Sequence, residues 1–151
     1  MSFVKIWVHA VWGTHHRAPL LSAEIRPTLF KHIHDNARKK GFYLDFINGY
    51  YDHVHCLLTL NADINLSKTI QLIKGEASRW ANKEELIHPK LIWADDYFAV
   101  SVSESMVEKV RDYIRNQEKH HRKKSFTEEC NEFITRYGFS QHRDVSLTSQ
   151  G

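Results

Sequence analysis

At 151 residues the chain is long enough for one compact domain and short for two. Hydrophobic residues make up 42% and charged residues 26%, the balance of an ordinary globular protein, and no apolar run approaches the roughly 18 residues of a membrane span. A net charge of +3 is too small for the total to dictate an anionic partner, so the distribution of charge carries more information.

The opening MSFVKIWVHAVWG has one Lys and no small-residue cleavage site. It reads as a first strand over 3–12 rather than a signal peptide. GTHHRAPLL follows as a loop broken by Pro19. Ser22 can cap a helix running to about Lys40, with Ile25, Leu29, Phe30, Ile33 and Ala37 on one side, Pro27 tolerated near the first turn and Gly41 ending it. Residues 42–60 give two strands, turning at Asn48-Gly49 or nearer Tyr51-Asp52. A second helix is expected from about Leu66 to Asn82, its apolar stripe made of Leu66, Ile70, Ile73, Ala77 and Trp80. After LIHPK, residues 91–102 read as a strand interrupted at Asp95-Asp96. Ser105 and Glu108 fit a capping box opening a third helix that runs to about His120. Beyond Ser125, TEECNEFITRY suggests a short helix, and the last dozen residues read as loose.

This order is the β-α-β-β-α-β of a ferredoxin-like α+β fold with an additional C-terminal helix. The sheet is expected to be antiparallel, with the helices on one face and the other face free to bind something. The predicted division is a single domain over 1–126 and a partly helical tail over 127–151. Cys56 and Cys130 lie far apart and outside any CxxC spacing, which reads as two free thiols in a reducing, cytoplasmic setting.

In YYDHVHCLLTL, His53 and His55 flank one valine. Alternate side chains of a strand share a face, so two imidazoles at this spacing can converge on one cation, while Cys56 points away with Val54 and Leu58. The same spacing in His32-Ile33-His34 falls on a helix, where i and i+2 diverge. With 11 His in the chain, the pattern alone leaves two readings open: a metal-ligand pair, or two partly exposed histidines on a sheet.

In VRDYIRNQEKHH, Tyr113 and Gln117 are four apart and therefore helical neighbours. A tyrosine hydroxyl can serve as a nucleophile when its charge is offset, and a carboxamide oxygen can ligate a hard cation. Taken singly they read as a boundary tyrosine and a surface glutamine. From Lys109 to Lys124 there are seven Lys or Arg against two acids; the ordinary reading is a solvated basic helix face.

DHVHCLL in a strand followed by YIRNQE in a helix, together with HAVWGTHHRAPLL and LSKTIQLIKGEASRW, resembles the insertion-sequence-200-like single-tyrosine HUH transposases, including relatives associated with repetitive extragenic palindromes. The resemblance covers most of residues 3–126. Tyr51 stands where many relatives have Pro, and Asp96 where the family often has Gly. The resemblance implies that His53, His55 and Gln117 hold a divalent metal, Mg²⁺ or Mn²⁺, and that Tyr113 is the nucleophile. It implies cleavage and rejoining of single-stranded DNA at hairpin-flanked sites through a 5′-phosphotyrosine. It also implies a homodimer in which the tyrosine helix of one subunit reaches the histidines of the other, while the sequence itself leaves open whether each active site is built within one chain or across two. Lys119, Arg122, Lys123 and Lys124 are then candidate phosphate contacts, with Arg17, Lys74 and Arg79 as further ones. Trp12, Tyr50 and Tyr97 are packing residues able to stack a base. Two alternatives carry different chemistry: a non-catalytic single-stranded nucleic-acid-binding module, and a metal-dependent nuclease using water with Tyr113 merely structural.

Overall fold

The computed structural model describes residues 1–137. Four strands, β1 (Trp7–Gly13), β2 (Tyr43–Gly49), β3 (His53–Thr59) and β4 (Phe98–Val102), form one antiparallel sheet in the order β2-β3-β1-β4. Helices α1 (Arg26–Lys39) and α2 (Leu66–Lys83) complete the ferredoxin-like pattern; α3 (Val107–Arg115), α4 (Gln117–His121) and α5 (Phe126–Tyr137) follow. Among the described residues no helix is long and apolar enough to cross a membrane.

Strand periodicity assigns the two faces. Val8, Ala10, Trp12, Val54, Cys56 and Leu58 face α1 and α2, where Leu29, Phe30, Ile33, Ala37, Ile70, Ile73 and Ala77 complete the main core. Asn65 caps α2 by accepting from the Lys68 amide at 2.7 Å. Gly41, at φ 82°, ends α1 in the left-handed region that favours glycine. The β2–β3 turn lies over Tyr50–Asp52, the later of the two expected positions, closed by the Tyr50 amide on the His53 carbonyl at 3.0 Å.

The opposite face is not free. β1 is buried along its whole length, because Trp7, Val11 and Leu57 are themselves apolar and require cover. Val107 and Ile114 of α3 pack on Trp7 and Leu57, and Phe126 and Phe133 of α5 pack on Val11. Helices therefore lie on both faces.

Local expectations also change. The strand expected over 91–102 forms only over Phe98–Val102, with Trp93 meeting Thr14 in an isolated bridge. The Ser105–Glu108 capping box does not form: Glu104–Met106 is a 3-10 turn, Ser105 pairs with Ser103, and Glu108 pairs with Arg111. The third helix also breaks at Asn116, which leaves helical geometry at φ −95°, ψ 24°. Asn48 of β2 donates to the carbonyls of Ile114 and Arg115 at 2.9 and 3.1 Å, satisfying the exposed end of α3. The expected loose segment falls outside the described residues.

Candidate metal centre and tyrosine site

β3 carries His53 and His55 on the face covered by α3, α4 and α5, and both are fully buried. Their neighbours on the adjacent strand, Gly13 and Val11, share that face. Gly13 is there for want of a side chain: a Cβ would meet Phe126 at 2.9 Å, and the Phe126 ring stacks on His53 at 4.1 Å between centroids. Asp52 orients His53 through Nδ1 at 2.8 Å, which turns Nε2 toward Gln117 Oε1, 3.1 Å away. The break at Asn116 starts α4 at Gln117, and one turn later His121 reaches the same Gln117 oxygen at 3.1 Å.

Glu129 of α5 closes the group. Its Oε1 lies 3.1 Å from His55 Nε2, 3.3 Å from His121 Nε2 and 3.4 Å from His53 Nε2. Ligand atoms of His53, His55, His121 and Glu129 all fall within 4.8 Å of one another. The other carboxylate oxygen accepts from the Tyr113 hydroxyl and lies 3.2 Å from His120 Nε2. Four residues singled out in the sequence, His53, His55, Tyr113 and Gln117, thus meet within one chain.

The electrostatics follow from burial and pairing. Burial works to raise the Glu129 pKa, but hydrogen bonds from His121, His53 and His55 outweigh it and hold the carboxyl well below the usual range. Burial, then the Glu129 charge, pushes the Tyr113 phenol up, so the hydroxyl keeps its proton at neutral pH. Burial lowers His55 to about 4 despite Glu129. His53 is also buried, yet Asp52 and Glu129 overcome that cost and raise it.

Sequence reasoning missed His9, His121 and Glu129. His9 had a legible signal: it alternates with Trp7 and Val11 and so faces the same side as His55. His121 was visible only as charge in the basic run. Glu129 gave no signal in an amphipathic helix of ordinary composition.

The expected DNA contacts divide. Lys119, Arg122 and Lys123 are exposed on and after α4, next to the site. Lys124 pairs with Glu132, and Arg17 donates to Thr127. Lys74 and Arg79 lie on α2, across the sheet from the histidines. Lys74 is 9% exposed and donates to the Ala94 carbonyl at 2.6 Å, so its ammonium has a partner within the fold. Arg79 is paired with Glu76. Of the stacking candidates, Trp12 is buried edge-on against Trp93, Tyr97 pairs with Ser67, and Tyr50 stacks on His121 at 5.2 Å.

Residues 2–117 match the family model described as "Transposase IS200 like". The ISDra2 transposase TnpA of Deinococcus radiodurans is 24% identical over 114 residues, 72% of this chain and 81% of that protein. Two solved structures share the fold. One, a candidate transposase from Deinococcus radiodurans R1, has a TM-score of 0.60 at 24% identity, covering 77% of this chain and 93% of that one. The other, a REP-associated tyrosine transposase bound to a REP hairpin, has a TM-score of 0.57 at 19% identity, covering 80% and 72%.

Proposed function

The chain belongs to the IS200-like transposase family, and from that premise we propose that it cuts and rejoins single-stranded DNA at hairpin-flanked sites through a covalent bond to Tyr113. The observation that carries this reading is the meeting of a tyrosine hydroxyl with a buried cluster of cation-ligating atoms. The hairpin-bound relative supports a hairpin substrate. A homodimer in a cytoplasmic setting, presenting two such sites to two DNA ends, belongs to the same proposal.

The donor set fits a divalent cation. His53, His55 and Gln117 would hold it, joined by His121 and Glu129; imidazoles beside carboxylate and carboxamide oxygens favour Mn²⁺ over Mg²⁺. Such an ion supplies positive charge to the scissile phosphate and the departing oxygen. As the Tyr113 oxygen bonds to phosphorus its hydroxyl proton passes to solvent; Glu129, whose carboxyl is held well below the usual range, orients the hydroxyl by accepting its hydrogen bond and does not keep the proton. The P–O3′ bond breaks, and the 3′-oxygen takes up a proton to leave as a free hydroxyl. The product is a 5′-phosphotyrosine, whose ester keeps the bond energy for rejoining when a second 3′-OH displaces the tyrosine. Lys119, Arg122 and Lys123 hold backbone phosphates beside the site.

The test is a denaturing gel of protein incubated with Mn²⁺ and labelled hairpin DNA. The expected result is a slow-migrating covalent band that is lost in Tyr113→Phe. Cleaved ends without that band would assign the chain to nucleases that use water, and neither product would assign it to passive binding.

A further inference from the structure

His9 lies one strand away from the proposed metal ligands and touches one of them, His55, from behind. It is 4% exposed. Its Nε2 is 2.9 Å from Nδ1 of His55, and the two rings stack at 5.1 Å with 29° between planes. Tyr113 and Phe133 each meet the His9 ring edge-on at 6.0 Å. The register of β1 against β3 fixes this arrangement, since His9 pairs with Leu57 and Val11 with His55 on the same face.

We infer that His9 is a positioning residue that sets the rotation and tautomer of His55 for cation binding; this rests on the metal reading above. His55 meets two different demands through one ring. Facing Glu129, which only accepts when ionised, its Nε2 must carry the proton, and Nδ1 is then a lone pair that needs a donor. Facing a cation, Nε2 must offer its lone pair, and the proton then sits on Nδ1 and needs an acceptor. A neutral imidazole at position 9 serves either demand through the one nitrogen that meets His55, because Nε2 donates in one tautomer and accepts in the other. A lysine there would only donate, and a phenylalanine would do neither, leaving a buried Nδ1 without a partner.

The experiment compares wild type, His9→Phe and His9→Gln, whose amide offers both a donor and an acceptor near the Nε2 position. Mn²⁺ affinity is read by titration calorimetry, without DNA. Loss of a hydrogen bond to a ligating histidine costs on the order of 10- to 100-fold in affinity, so His9→Phe should weaken binding by that factor and His9→Gln should recover most of it. Wild-type affinity in His9→Phe, or equal losses in Phe and Gln, would overturn the assignment while leaving the metal reading intact. Wild-type protein that takes up no Mn²⁺ would overturn both. Long-range ¹⁵N–¹H spectra of the wild type provide a readout independent of the variants' folding. On loading with a diamagnetic divalent ion, the His55 proton should be found on Nδ1; a proton on Nε2 sinks the inference.

Discussion

Glu129 places Oε1 3.1 Å from Nε2 of His55, with neither side chain more than 1% exposed. A carboxylate from α5 is thereby locked to an imidazole of β3 across 74 residues of sequence, and α5 is pinned to the sheet at the proposed reaction centre. Hydrogen bonds to a charged group contribute about 2 kcal/mol, the middle of the usual span. Glu129→Gln should lower the stability of the metal-free protein by about that amount, measured by urea unfolding followed through tryptophan fluorescence. An unchanged midpoint would mean that the carboxylate does not anchor α5.

The buried histidines predict how the metal-free fold responds to acid. His9 and His55 titrate at about 3 and about 4 when folded but near 6.5 when unfolded. Between those values the unfolded chain binds protons that the folded chain does not, so these two groups make stability rise with pH up to about 6.5. His53 works the other way: its raised pKa adds stability below about 6.5 that is lost as pH rises through the folded value. The two lowered groups outnumber the raised one. Urea midpoints measured with a chelator should therefore fall from pH 7.5 to pH 5. His9→Gln should reduce the slope by about one proton, or about 1.4 kcal/mol per pH unit. A wild-type midpoint that rises on acidification contradicts this account.

Arg111 clamps α3, which carries the proposed nucleophile Tyr113, to the sheet. Its Nε and Nη2 meet the two oxygens of Asp45 at 2.7 and 2.9 Å, and Asp45 sits where the β2–β3 register shifts between Leu44 and Phe46. The irregularity thus aims a carboxylate at α3, two residues before Tyr113. Lysine cannot reproduce the paired contact. Arg111→Lys should lower the rate of adduct formation by about 10- to 100-fold through misplacement of Tyr113, with little change in DNA affinity. Single-turnover gels and a parallel binding titration separate the two effects; a loss confined to binding would reassign Arg111 to substrate contact.

The exposed cations after Gln117 should appear in the salt dependence of binding. Each phosphate neutralised on a single strand contributes about 0.7 to the slope of log affinity against log salt. Replacing Lys119, Arg122 and Lys123 together with Ala should reduce that slope by about 2. Lys74→Met should leave the slope unchanged and lower the melting temperature, because its ammonium serves the Ala94 carbonyl. A slope unaltered by the triple change would place the DNA elsewhere.

The sequence by itself determined the ferredoxin-like strand and helix order, and the shared face of His53 and His55, since a period of two needs no partner to be read. It also separated that pair from His32 and His34: on α1, His32 turns to Glu76 and Trp80 while His34 turns to Asp35. Local rules failed where a distant group intervened. Nothing near Asn116 announced that Asn48 would claim the last carbonyls of α3, and a capping box legible in four residues gave way to the contacts of Glu104 with Trp7 and Lys5. Only the tertiary structure decided that the second sheet face is covered, that Tyr113 reaches the histidines of its own chain, and that Glu129, His121 and His9 join them. The physical reason is separation: these contacts span tens of residues and are selected by burial of Trp7, Val11 and Leu57 under α3 and α5, an energy that belongs to the assembled layers and to no local stretch of chain.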